Sequence, residues 1–278
     1  MDCKTFSRQC RRASFYRKRF SYDNTTTFKK TKYKPHLNKM WCIPPKQNAE
    51  FVAKMEDVLE VYSREFNPLL PVICMDEKPF QLLDEYLEPI PMSKDNHSVK
   101  YDSEYVRKGS CSIFMFTEPL GQWREAHALA RRTSADWAMQ MKWLIDEQYK
   151  DAEKIVLVMD NLNTHNVSSF YKVFSPEEAF RLSQKLEIHY TPKHGSWLDI
   201  AEIELSALTI QCLLNVRIPT IDALNTILND WHLYRNAKQK SVSWQFTNEN
   251  ARIRLKHLYP NIKFYVLQGT TRYNYLLP

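Results

Sequence analysis

Five apolar residues in a row, Ile155 to Met159 (IVLVM), run straight into Asp160. A continuous run of that length, rich in β-branched residues and with no polar alternation, fits a strand buried on both faces at the centre of a sheet. Such a strand requires helices on both sides. A second run at 71–75 (PVICM) reads the same way and ends in Asp76. Ser110 to Thr117 (SCSIFMFT) and Trp123 to Ala130 read as two further strands, separated by the turn Pro119-Leu120-Gly121. With the strand at 71–75 they would form an antiparallel meander. Leu186 to Tyr190 supplies a fifth strand.

Helical spacing fills the intervals. Phe51, Met55, Val58, Leu59, Tyr62 and Phe66 make one apolar stripe over 49–66, with Asn48 placed to cap it. Trp137, Met141, Leu144 and Gln148 step along a helix at 134–149, and further helices are predicted at 176–185, 198–214, 220–236 and 247–259. Gly109, Gly121 and Gly195 fall in predicted turns. The order strand, strand, strand, helix, strand, helix, strand, helix predicts an α/β fold: a mixed sheet flanked by helices, with additional C-terminal helices.

The net charge of +7 points towards a nucleic-acid partner, but it is not evenly spread. Residues 1–40 hold 12 Lys+Arg against 2 Asp+Glu, a balance of +10, and the remainder stands at −3. That segment has no apolar period, so it is expected to be a poorly ordered basic extension. The body is expected over 41–260 and a tail over 261–278. The longest apolar run, Leu69 to Met75, is far short of the roughly 20 residues of a membrane span, and no apolar stretch follows the basic start. A cytoplasmic protein with no membrane partner is expected. The six cysteines form no C-x-x-C pair and read as mostly buried thiols. With four glycines in the whole chain there is no phosphate-binding glycine loop and no dinucleotide fingerprint.

Open α/β sheets carry chemistry just beyond the carboxyl ends of their strands, where Asp76 and Asp160 both fall. A third acid would come from the helix after the loop 191–197, where Glu202 and Glu204 are both available. Two residues apart, they point about 200° apart around the helix, so only one can face the aspartates. Three carboxylates within ~4 Å would repel by about 4 kcal/mol per pair at an effective dielectric of 20, and so would need a cation. Hard oxygen donors suit Mg²⁺ or Mn²⁺. Two such ions about 3.5 to 4 Å apart drive in-line phosphodiester displacement. Taken singly, each acid also has a plain structural reading: Asp160-Asn161 as a turn start, Asp76-Glu77 as a solvated edge, either glutamate as an exposed helix face.

Three blocks settle what this chain resembles. MDEKPFQLL at 75–83, VMDNLNTH at 158–165 and HYTPKHGSWLDIAEIELS at 189–206 closely resemble the insertion-sequence transposases allied to the Tc/mariner superfamily, a resemblance running from about Lys34 to Pro260. It implies an RNase H-like catalytic domain with an Asp-Asp-Glu triad at Asp76, Asp160 and Glu202. These residues would serve both as catalytic residues and as ligands of Mg²⁺ or Mn²⁺. It also implies cut-and-paste chemistry on DNA at transposon inverted repeats, and a homodimer that brings two ends together. Glu202 is preferred over Glu204 because the family's Glu lies three residues after an Asn, here replaced by Asp199, and 42 residues separate it from Asp160. Asp199 is expected one turn before Glu202, adding negative charge beside the site. Such enzymes carry helix-turn-helix units ahead of the core, for which residues 1–40 have neither length nor periodicity. The chain therefore reads as truncated there, with weak recognition of specific ends unless another chain supplies it.

Lys193 and His194, in the loop leading to Glu202, are candidate DNA-phosphate contacts. His165 could orient a phosphate or simply tie down its loop, and Trp197 could stack on a base or pack in the core. Two other functions compete: a catalytically silent DNA-binding or assembly remnant, and a nuclease acting on RNA–DNA hybrids.

Overall fold

The computed structural model describes residues 43–44, 46–94, 97–160, 165–238, 241–242 and 244–261. The basic extension at 1–40 and nearly all of the tail lie outside the described residues. Five strands make one sheet: β1 (Val72–Glu85), β2 (Tyr105–Glu118), β3 (Trp123–Leu129), β4 (Ile155–Met159) and β5 (Leu186–Tyr190), ordered β3-β2-β1-β4-β5. The first three pair antiparallel as a meander, β4 joins β1 in parallel, and β5 joins β4 in parallel. This is the RNase H-like mixed sheet that the sequence implied. Helices α1 (Ala49–Ser63), α2 (Ser134–Trp143), α3 (Pro176–Gln184), α4 (Ile200–Leu208), α5 (Ile221–Asn236) and α6 (Asn248–Arg254) flank it.

The period of two along each strand divides the core into two layers. Cys74, Ile113, Met115, Val156 and Val158 face α1, α4, α5 and α6, which present Met55, Leu59, Leu205, Leu208, Leu228 and Trp231. Their neighbours Ile73, Met75, Phe114, Phe116, Leu157 and Met159 face Trp137 and Met141 of α2 and Leu182 of α3. All five residues of β4 are buried, which is why that run carries no polar position. Each such side chain contributes about 1.5–3 kcal/mol by leaving water.

Asn48 caps α1 as expected, its Oδ1 accepting from the Phe51 N–H at 3.0 Å. Asn48→Ala should lower stability by about 1 kcal/mol and Asn48→Gly by only a few tenths. Equal urea midpoints for wild type and Asn48→Ala would show that the cap contributes nothing.

Several boundaries differ from expectation, each for a local reason. β1 does not stop before Asp76. Its pairing with β2 continues past the end of β4 from Asp76↔Met115 to Glu85↔Tyr105, with β3 alongside as far as Pro79↔Ser112 and as a two-stranded ribbon beyond it. The polar run Asp-Glu-Lys-Pro hid this, because a ribbon open along one edge needs no continuous apolar run and tolerates Pro79. Gly109 lies inside β2 rather than in a turn. Its φ of +112° accompanies a bulge where the register slips between Leu82 and Leu83. The helix beginning at Ser134 passes into a π turn at Leu144–Gln148. This brings Ile145 into the core beside Leu144 and leaves Gln148, expected on the buried stripe, exposed. α4 likewise ends in a π turn at Thr209–Leu213. α1 ends at Ser63, so Phe66 falls outside the stripe and is 55% exposed.

Among the described residues, no helix is long and apolar enough to cross a membrane. Of the described cysteines, Cys74 and Cys111 are buried and Cys212 is half-buried.

Candidate active site

β1 and β4 share four rungs, the last being Met75↔Met159. One step further, β4 has ended and the chain goes on to Asp160, while β1 continues with Asp76. The two acids therefore emerge side by side at the end of the parallel pair, Asp160 beyond its strand and Asp76 within its own. Asp76 has the parity of Cys74 and so lies on the sheet face covered by α4. Glu202 stands in the first turn of that helix. Asp76, Glu77, Lys78, Glu202, Leu205 and Ser206 line one cleft of about 180 Å³.

The acids influence one another through space. Burial pushes the Asp76 carboxyl up to about 7. The Glu77 N–H, 2.7 Å from its Oδ1, opposes this, and the charges of Glu202 and Asp160 add to it. Burial also raises Glu202, with the Ser196 hydroxyl opposing and the Asp160 charge adding. Among the described residues, no three His, Cys, Asp or Glu side chains are gathered closely enough to form a ready-made metal cage. The donors themselves suit a hard cation: three carboxylates, two of them held where their negative charge is unfavourable.

Glu204 takes no part. It is buried on the other side of α4, where both its oxygens lie 2.9 Å from Nη2 of Arg235 and Oε1 lies 3.5 Å from Nε of the buried Arg124. Those two guanidinium groups fix the rotation of α4 and leave Glu202 to the cleft.

Asp199 stands one turn before Glu202, its carbonyl accepting from the Glu202 N–H at 3.3 Å. It is the N-cap of α4, with Oδ1 accepting from the Ala201 N–H at 2.8 Å. Burial, reinforced by the Asp76 charge and opposed by that N–H, lifts its carboxyl well above the usual range. The carboxyl beside the site is thus buried and its charged form disfavoured.

Lys193 and His194 are exposed on the turn after β5, His194 with φ +65°. Neither lines the cleft that holds Asp76 and Glu202. Trp197 packs against Trp244 at 6.5 Å, near parallel, and edge-on to Phe246 at 5.9 Å, so it belongs to the core. His165 is 1% exposed and cannot reach a phosphate. Its Nε2 lies 2.9 Å from Glu77 Oε1 and its Nδ1 lies 3.4 Å from Asp160 Oδ1. Burial opposes its charge, but the two carboxylates outweigh burial and raise it to about 9.

Lys78 went unnoticed in the sequence. It lines the cleft, its ammonium donating to Thr209 Oγ1 at 2.5 Å. Its signal was parity: two residues after Asp76 on a continuing strand puts it on the same face.

Residues 71–225 match the model of a family described as DDE superfamily endonuclease. No curated protein matches the chain. Among solved structures it is similar to the Mos1 mariner paired end complex with Mn, at 12% identity and a TM-score of 0.47, covering 76% of this chain and 64% of that one. It is similar also to the Mos1 strand transfer complex, at 13% identity and a TM-score of 0.47, covering 73% and 61%. The chain thus spans under two thirds of each of those proteins.

Proposed function

Because the chain belongs to the DDE superfamily endonucleases, we propose that it is the catalytic part of a transposase of the Tc/mariner kind. It cuts DNA at transposon ends and transfers the strand to a target, using Mg²⁺ or Mn²⁺. Residues 41–260 are its catalytic domain, and it works as a homodimer. The observation that carries this reading is the shared cleft of Asp76 and Glu202, with Asp160 one step beyond the last rung that joins β1 to β4.

Asp76, Asp160 and Glu202 are the metal ligands in this reading. When bound, the ions supply Lewis acidity, activating the attacking water or 3′-hydroxyl and stabilising the leaving oxygen. Lys78 offers a positive charge to a phosphate oxygen at the same cleft. Lys193 and His194 meet DNA phosphates on the exposed turn before α4, where they position the duplex without reading its sequence.

The test is nicking of a duplex that carries the element's inverted repeat, with Mn²⁺, Mg²⁺ or a chelator, beside an RNA–DNA hybrid of the same sequence. Metal-dependent nicking of the duplex in preference to the hybrid is expected. Preference for the hybrid would replace this reading with a hybrid nuclease. A second reading, a catalytically silent remnant that binds DNA, is favoured by the lack of a ready-made three-ligand cage among the described residues. DNA binding without nicking under any of these conditions would select it.

A further inference from the structure

Glu77 and His165 form a buried pair that the chemistry proposed above leaves without a task. Glu77 follows Asp76 in β1, so its side chain leaves the sheet on the opposite face, towards α2. Both side chains are almost wholly shielded from solvent, and Nε2 and Oε1 are 2.9 Å apart. The imidazole stacks on the Trp137 indole, with ring centroids 5.9 Å apart and planes at 21°. The carbonyl of His165 accepts from the Tyr190 hydroxyl at 3.0 Å. Contacts from β1, α2 and β5 thus hold one imidazole in one orientation.

That orientation turns Nδ1 to Asp160, whose Oδ1 is 3.4 Å away and whose side chain is 41% exposed. Asp160 stands just past the end of β4, so on its own side it has no strand pairing to fix it. Burying a polar pair costs free energy that an apolar pair of similar volume would avoid. Among the described residues, moreover, Glu77 Oε2 is buried with no hydrogen-bond partner, and His165 Nδ1 meets Asp160 as a charge contact and not as a hydrogen bond. A pair kept at that cost calls for a use.

We propose that Glu77 and His165 are positioning residues: Glu77 fixes the ring of His165, and His165 holds the Asp160 carboxylate in the orientation the site requires. This rests on Asp160 being a ligand in the function proposed above. The arrangement follows the general rule that groups behind a metal ligand orient it, and that their loss weakens metal binding by about 10- to 100-fold.

The full-length chain is titrated with Mn²⁺ alone by calorimetry, and single-turnover nicking is followed separately from the KM for DNA. His165→Phe keeps the ring stacked on Trp137 but removes both nitrogens. Glu77→Leu leaves His165 in place but frees it, and Glu77→Gln keeps an acceptor for Nε2. Mn²⁺ affinity should fall by about 10- to 100-fold in His165→Phe and by about 10-fold in Glu77→Leu, with near-normal affinity in Glu77→Gln. Nicking should slow while the KM for DNA holds. A purely structural role would lower the melting temperature and leave Mn²⁺ affinity of the folded protein unchanged, and that result overturns the proposal. Should His165→Phe not fold, Glu77→Leu decides by the same criterion. Asp160→Asn separates the two levels of the argument. If it weakens Mn²⁺ binding while His165→Phe and Glu77→Leu do not, only the positioning role fails. If Asp160→Asn binds Mn²⁺ like wild type, the ligand assignment fails and takes this proposal with it.

Discussion

Asp160→Asn and Glu202→Gln should each slow metal-dependent nicking by about 10³-fold or more, while circular dichroism and the melting curve show an intact fold. Both substitutions nearly preserve shape and remove the charge that would hold a cation. Metal ions stabilise transition-state charge by several kcal/mol, and about 1.4 kcal/mol is a factor of ten in rate. Asp76→Asn should behave the same way in activity and in the opposite sense in stability. The folded state lifts this carboxyl to about 7, so above that pH the metal-free fold bears the cost of ionising it. Removing the charge should therefore raise the melting temperature most at pH 8 without metal, and by progressively less as the pH falls from about 7 towards the ordinary value of 3.8. Nicking retained in Asp160→Asn or Glu202→Gln would remove the triad from the site.

Two residues away, the expected effect changes kind. Glu204→Ala should cost about 3–5 kcal/mol of folding stability, the usual penalty for removing one partner of a buried ion pair. The charge left behind is that of Arg124, 1% exposed, with Arg235 losing both of its carboxylate contacts. Glu202→Gln should not lower stability, since burial and the Asp160 charge disfavour that carboxylate in the metal-free fold. Urea unfolding of the two variants side by side is the measurement. A Glu204→Ala midpoint within experimental error of wild type would mean that the pair with Arg124 and Arg235 does not set the rotation of α4.

What could be read from the sequence, and what could not, follows from the range of the interactions. IVLVM ending in Asp160 was legible because burial on both faces leaves no polar residue in the run, and the β1–β4 pairing followed from strand order. The choice between Glu202 and Glu204 needed only helix geometry to show that one of them had to go. Motif resemblance pointed to Glu202, and the guanidinium groups that hold Glu204 give the physical reason. The place of Asp76 at the end of the β1–β4 pair was legible, but not the strand running on through it, because pairing on one side leaves no apolar signature. The link between Glu77 and His165 spans 88 residues and exists only once β1 and the segment after β4 are neighbours. The π turns at 144–148 and 209–213 are likewise invisible, since a single extra residue per turn leaves composition and approximate period unchanged. The burial of Asp199 was out of reach because a sequence shows a carboxyl group and not its surroundings.

The continuation of β1 beyond β4 has a mechanical consequence. From Asp76 to Glu85 the strand ladders with β2 alone, a span of roughly 30 Å at about 3.3 Å per residue, and its far end is tied again where the Leu83 N–H donates to the Ile218 carbonyl at 3.0 Å and Arg217 pairs with Glu85. A beam clamped at both ends carries load from one clamp to the other. Asp76 stands at the inner clamp and Ile218 and Arg217 form the outer one, so a pull on the segment that follows α4 reaches Asp76 along the strand, while Glu202 rides on a helix braced by two arginines.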